Sequence, residues 1–194
     1  MSSKAKLIQA IAGTNRGIFA SATEKQSILD AVAQLENHNP TANPVEATDL
    51  LGGTWRLLYT TNAEILGIDR YPLLKLGQVY QHIETKTPRI YNIAEVYGLP
   101  YLEGLVSVAA QFQGVSATRV EVNFERLILG IQRLLNYQSA MDLIEQLQTG
   151  HKLTALDFNL SHRDRKGWLD TTYLDDNLRI GRGNQGNVFV LAKA

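Results

Sequence analysis

From Leu51 onward the chain breaks into short segments rich in β-branched and aromatic residues, punctuated by glycine, proline and asparagine. This rhythm constrains the fold more than any other feature. It predicts strands near 54–61, 77–85, 89–96, 104–113, 118–126, 152–161, 167–174 and 178–182, with a last one at 187–192. Short strands in sequence order, most of them joined by tight turns, describe an antiparallel meander. A meander of this length leaves two reactive edges unless it closes on itself. The expected architecture is therefore a mainly β, antiparallel up-and-down barrel, closed or partly open.

Ahead of this region the period changes. Leu7, Ile8 and Ile11 recur at helical spacing until Gly13, and Ser21-Ala-Thr-Glu24 matches a capping box that opens a second helix. Its apolar stripe of Ile28, Leu29, Val32 and Leu35 ends before His38-Asn39-Pro40, because proline cannot continue a helix. The domain organisation expected is N-terminal helices over 1–40 packed on the barrel, a linker over 41–50 and the barrel over 51–194. One more helix interrupts the strands. Leu134, Tyr137, Met141, Ile144 and Leu147 keep a three-to-four spacing, so 133–148 is expected to form an amphipathic helix, either a lid on the barrel or packing on its outside.

Charge and composition exclude several function classes. Nineteen basic residues balance nineteen acidic ones, so no net field draws the chain to a phosphate backbone, and nucleic acid is not an expected partner. There is no cysteine, which removes disulfides, thiolate catalysis and Cys-based metal sites. The N-terminal segment lacks the continuous apolar run of an export signal, and no window approaches the roughly 18 apolar residues of a spanning helix. Any membrane contact is expected to be peripheral.

Catalytic signatures are not found. Gly181-Arg-Gly183-Asn-Gln-Gly186 spells a dinucleotide fingerprint, but Asn187-Val-Phe-Val-Leu191 after it is a strand where the fingerprint needs a helix. A glycine-rich hairpin turn is the reading that fits. The four histidines, His38, His82, His151 and His162, lie far apart, so no metal site or cofactor is expected. Asp170, Asp175 and Asp176 sit around a turn, where Asx side chains bond their own backbone. The expectation is a protein that is not an enzyme.

Gly53-Thr-Trp55 opens a strand in which Trp55, Leu57 and Tyr59 share one face by period-two alternation. In a closed barrel the first and last strands are neighbours. Arg179 or Arg182 could then stack over Trp55, either closing the barrel or meeting a ligand.

Thr14-Asn-Arg-Gly17, Leu51-Gly-Gly-Thr-Trp-Arg-Leu-Leu-Tyr-Thr-Thr61 and above all the block from Leu169 to Leu191 resemble the plastid lipid-associated protein family, PAP/fibrillin, in a form similar to its cyanobacterial members. The resemblance implies a lipocalin-like barrel that associates with thylakoids and plastoglobules and takes prenylquinones, carotenoids or acyl lipids. It implies a place in the cytoplasm or peripheral to thylakoid membranes and lipid bodies, or in the plastid for a mature plant chain. It also allows a protein partner from prenylquinone biosynthesis. On this footing the expected lining of a ligand cup is Trp55, Tyr59, Tyr80, Phe112, Phe124 and Tyr173, with Arg179 or Arg182 orienting a polar head. The alternative is a scaffold that coats lipid bodies or holds a lipid-biosynthetic enzyme, its barrel filled by side chains.

Overall fold

The computed structural model describes residues 2–149, 152–160 and 166–194. His151, His162 and the last residue of the strand expected at 152–161 lie outside them. The nine expected strands form, as β1 Gly53–Thr60, β2 Lys75–Glu84, β3 Arg89–Tyr97, β4 Gly104–Gly114, β5 Arg119–Ile131, β6 Leu156–Asn159, β7 Lys166–Leu174, β8 Leu178–Gly183 and β9 Val188–Lys193. Successive strands pair antiparallel from β1 to β5 and from β7 to β9, and β1 pairs with β9 to complete the ring. The barrel is closed, with eight strands around it.

β6 explains why nine segments give eight staves. One edge of β5 is taken along its length by β4, so β6 and β7 share the other edge. Arg126 and Asn123, three apart on β5, face Asn159 and Lys166, seven apart on the partner side. β6 and β7 are thus two pieces of one interrupted stave.

Two helices precede the barrel, α1 Ser3–Ile11 and α2 Ala22–Glu36, and Ser21 and Glu24 form the capping box reciprocally. Leu7, Ile11, Ile28, Val32 and Leu35 pack with Tyr59, Tyr173, Leu178, Ile180, Val188 and Val190 on the outer face of β7, β8, β9 and β1. Arg182 ties α2 to this face through a two-pronged ion pair with Glu36 at 2.7 Å. Between these helices, Gly17 has φ 107°, and a Cβ there would lie 2.7 Å from the carbonyl oxygen of Thr60. Only glycine lets this loop press against β1.

Two short helices escape the sequence reading, α3 Thr48–Leu51 and α4 Ala63–Leu66. The helix expected at 133–148 is shorter. α5 spans Ala140–Gln148 only, because Asn136 takes φ 49° in a turn and Ser139 caps the helix start by accepting from the Asp142 amide. Leu143, Ile144 and Leu147 of α5 pack on Tyr91, Ile93, Leu105 and Ile128 outside the barrel, so this helix is outer packing and not a lid.

Candidate functional site

The interior is defined by register. Trp55, Leu57, Ile83, Ile90, Ala110, Val120, Val122, Leu174 and Leu191 form one cluster inside the barrel, reinforced by Leu51 of α3 from below. Directly opposed residues share a face. Ile90 opposes Ala110, so the pairs two and four positions on, Asn92 with Val108 and Ala94 with Val106, also point inward. β5 continues this surface with Leu127 and Leu129, opposite Val108 and Val106.

The two ends of this interior differ. Toward the start of β1 the residues are fully buried, with Trp55 donating its indole N–H to the Leu51 carbonyl at 2.9 Å. Toward the other end the inward-facing Val79, Val106, Val108, Leu127, Leu129 and Phe189 are only half-buried. Leu156 and Phe158 on β6 oppose Leu129 and Leu127, and are 62% and 45% exposed although they face inward. Solvent therefore reaches apolar inward-facing side chains at this end, the mouth of the barrel. Ile65 of α4 packs against the interior cluster.

A polar chain lies at the floor. Arg179 on β8 is 1% exposed; one terminal nitrogen donates to Gln81 Oε1, and Gln81 donates in turn to Asn92 Oδ1 at 2.7 Å. Its guanidinium carbon lies 5.2 Å from the centre of the Trp55 ring, and Lys193 Nζ lies 4.4 Å from the same centre. The Nε and the second terminal nitrogen of Arg179 have no hydrogen-bond partner. Burial alone pushes the Arg179 pKa down to about 9, and no carboxylate opposes that shift. Lys193 is lowered as well, by its own burial and then by Arg179. Two unpaired nitrogens on a buried cation are costly, and an acceptor from outside the chain would relieve them.

The residues expected to line the cup divide evenly. Trp55, Phe112 and Phe124 belong to the interior cluster, and Arg179 stands among them. Tyr59, Tyr80, Tyr173 and Arg182 do not face the interior. A bulge between Leu57 and Tyr59 turns Tyr59 outward beneath α1 and α2, and a bulge between Thr171 and Tyr173 does the same for Tyr173. Tyr80 opposes Ile93 and packs with the α5 cluster. Arg182 shares the outer face of Ile180 and is held by Glu36. The carboxylates of the same hairpin are committed elsewhere: Asp170 to Arg119 at 2.6 Å, and Asp175 to Lys4 at 2.7 Å and to the amides of its own turn. The G-x-G-x-x-G stretch is the β8–β9 hairpin, with Gly186 at φ 73°.

Sequence reasoning missed Gln81, Asn92 and the half-buried valines and leucines of the mouth. Period-two alternation from Ile83 and Ile90 contains the signal for Gln81, Val79 and Asn92, whereas Leu127 and Leu129 lie beyond a register shift in β5 that alternation does not show.

A concave feature lies on the outer surface. It is an open groove of about 530 Å³ bordered by Arg89, Tyr91, Glu125, Leu147 and the Arg126–Asp157 ion pair. Nothing at its walls is both buried and unpaired. Among the described residues no helix is long and apolar enough to cross a membrane, and no cluster of acidic, histidine or cysteine residues could hold a metal ion.

Residues 1–192 match the PAP_fibrillin family model. The chain is 31% identical to the light-induced chloroplastic protein of Solanum tuberosum, over 98% of this chain and 66% of that protein. It is 31% identical to the chromoplast-specific carotenoid-associated protein of Cucumis sativus, over 98% of this chain and 67% of that one. With plastoglobulin-1 of Pisum sativum it shares 34% identity, over 98% of this chain and 60% of the relative. The chain thus spans somewhat under two thirds to two thirds of the length of these relatives.

Proposed function

The chain belongs to the PAP_fibrillin family, and from that premise we propose that its barrel is a cup for one apolar lipid of the prenylquinone, carotenoid or acyl class, whose polar end meets Arg179. The observation that carries this reading is the pair of unpaired Arg179 nitrogens at the floor of an apolar interior whose other end meets solvent. A guanidinium fork in such a setting gives directional bonds to a carboxylate, a phosphate or a quinone oxygen. The names of the cucumber and pea relatives, carotenoid-associated protein and plastoglobulin, support association with lipid bodies. The role read here is binding without a chemical step, peripheral to a thylakoid or lipid-body surface.

Titration of a short-chain quinone and a fatty acid into wild type, Arg179→Gln and Arg182→Gln tests it. Arg179→Gln should weaken binding of a charged head by roughly 1.5–3 kcal/mol. Arg182→Gln, on the outer face, should leave affinity alone and lower stability. Mass spectrometry of the native protein from its host should find a co-purifying lipid. Absence of saturable binding to any variant would sink the cup. It would favour a scaffold coating lipid bodies or holding a partner enzyme of prenylquinone synthesis, a reading that the solid packing around Trp55 supports.

A further inference from the structure

Of the large apolar side chains exposed among the described residues, all but Ile8, Phe19, Val115 and Met141 belong to the mouth end of the barrel. Tyr97 ends β3 and Leu156 and Phe158 lie on β6, while the other seven stand on three neighbouring loops: 71–74 before β2, 98–102 between β3 and β4, and 132–135 after β5. The loops touch. Gly98 lies against Leu73 and Leu74, the Gln132 amide donates to the Glu103 carbonyl, and the Arg133 guanidinium lies 5.6 Å from the Tyr101 ring centre. An apolar patch gathered on loop tips, continuous with an apolar interior, marks an interaction surface.

Two of its members are held there against backbone preference. Leu73 takes φ 68° and Tyr101 φ 69°, and they are 70% and 72% exposed. Large residues avoid this left-handed region, and here the strain gains no burial within the chain. Strain of this kind persists where the projecting side chain has a use.

Charge selects the occupant. On these loops and their flanks the exposed charges are Arg70, Lys75, Arg133 and Glu64, three positive to one negative in a chain with net charge zero. Asp69 is turned inward, accepting from the Leu76 amide and lying 3.8 Å from Lys75 Nζ, and Glu103 is half-buried. We propose that the mouth end docks face-on to a lipid surface carrying anionic headgroups, with Leu73, Tyr101 and their neighbours inserted and Arg70, Lys75 and Arg133 at headgroup level. This rests on the reading of the barrel as a lipid cup, because it puts the mouth where an apolar ligand could pass without crossing water.

The test uses the full chain and vesicles of phosphatidylcholine with and without phosphatidylglycerol. Wild type should sediment with both and more strongly with phosphatidylglycerol. Leu73→Asn with Tyr101→Asn should lower the partition coefficient by on the order of tenfold or more. The melting temperature of that double variant should hold or rise, since asparagine takes the left-handed region more readily. Arg70→Gln with Arg133→Gln should erase the preference for phosphatidylglycerol. Tyr101→Trp should shift its emission to the blue and be quenched by brominated lipid, whereas Val115→Trp on the β4–β5 hairpin at the opposite end should do neither.

Unchanged partition of the asparagine variant, quenching at position 115, or no vesicle binding by wild type would overturn the proposal. So would a wild-type dimer in solution that the asparagine variant abolishes, which would make the patch a self-association face. Failure of the cup reads differently. Arg179→Gln loses soluble ligand and keeps vesicle binding, whereas the asparagine variant keeps soluble ligand and loses vesicles.

Discussion

Arg179 and Trp55 meet inside the barrel with the guanidinium carbon 5.2 Å from the indole centre, joining β8 to β1, strands that are not hydrogen-bonded to each other. β9 lies between them, so the contact passes over the inner face of β9 within the closed ring.

Trp55 is fully buried, with its N–H satisfied by Leu51 and two cations near its ring. Trp55→Ala should cost about 3–5 kcal/mol, mostly through the cavity it leaves. Denaturant unfolding measures this. A loss under about 1 kcal/mol would mean that the floor does not depend on the indole.

Arg179→Met should separate stability from binding. Removing an unpaired buried cation and keeping the side-chain bulk should raise stability by about 1 kcal/mol or more, even after the loss of cation–π attraction. Affinity for a carboxylate-headed ligand should fall. Melting curves beside a ligand titration decide it, and a variant that loses stability would show that the chain itself satisfies Arg179.

Alkaline pH should unfold the protein through Tyr173. Burial, and next its hydrogen bond to Asp175, raise the Tyr173 pKa to about 12. The unfolded chain releases the phenolic proton near 10, so between these values the native state binds more protons and stability falls as pH rises. The stability that Tyr173 contributes is complete below pH 10 and lost through pH 12. Tyr173→Phe should flatten this part of the curve in urea titrations across that range. Tyr137, raised mainly by burial and then by Glu95, acts in the same direction.

The N-terminal helices should behave as part of the core. Deleting residues 1–40 uncovers Tyr59, Ile180 and Val190, so the truncated chain should melt lower and aggregate. Glu36→Gln is milder. It weakens the hold on half-buried Arg182 and should cost on the order of 1 kcal/mol. A truncated chain with an unchanged melting temperature and lost vesicle binding would make the helices an anchor instead.

Much of this was legible in the residues. Alternation and turn chemistry place every strand, and Ser21 with Glu24 marks the start of α2. What alternation cannot show is a bulge. One extra residue between Leu57 and Tyr59, and another between Thr171 and Tyr173, reverses the face of everything beyond it, so two tyrosines assigned to the interior stand outside. Arg182 is different: three positions from Arg179 on an unbulged strand, it must face the other way, and the sequence held that information. The half-open mouth depends on the break between β6 and β7, a matter of pairing across distant segments that local pattern does not carry. The helix after β5 starts late because Ser139 and Asp142 repeat the capping signal of α2 inside a stretch whose apolar spacing already resembled a helix.

The pairing of β1 with β9 also sets a clock. Trp55 and Lys193 are register partners, so the first stave cannot gain its second neighbour until some 140 further residues have been synthesised. At ribosomal speeds that is a delay on the order of ten seconds, long beside the microseconds in which hairpins form. Through that interval the half-built wall is a curved sheet with its apolar side uncovered, and one edge of β1 can add any extended segment that meets it. Nascent chains should therefore be the aggregation-prone form of this molecule, and their most exposed period ends when β9 docks.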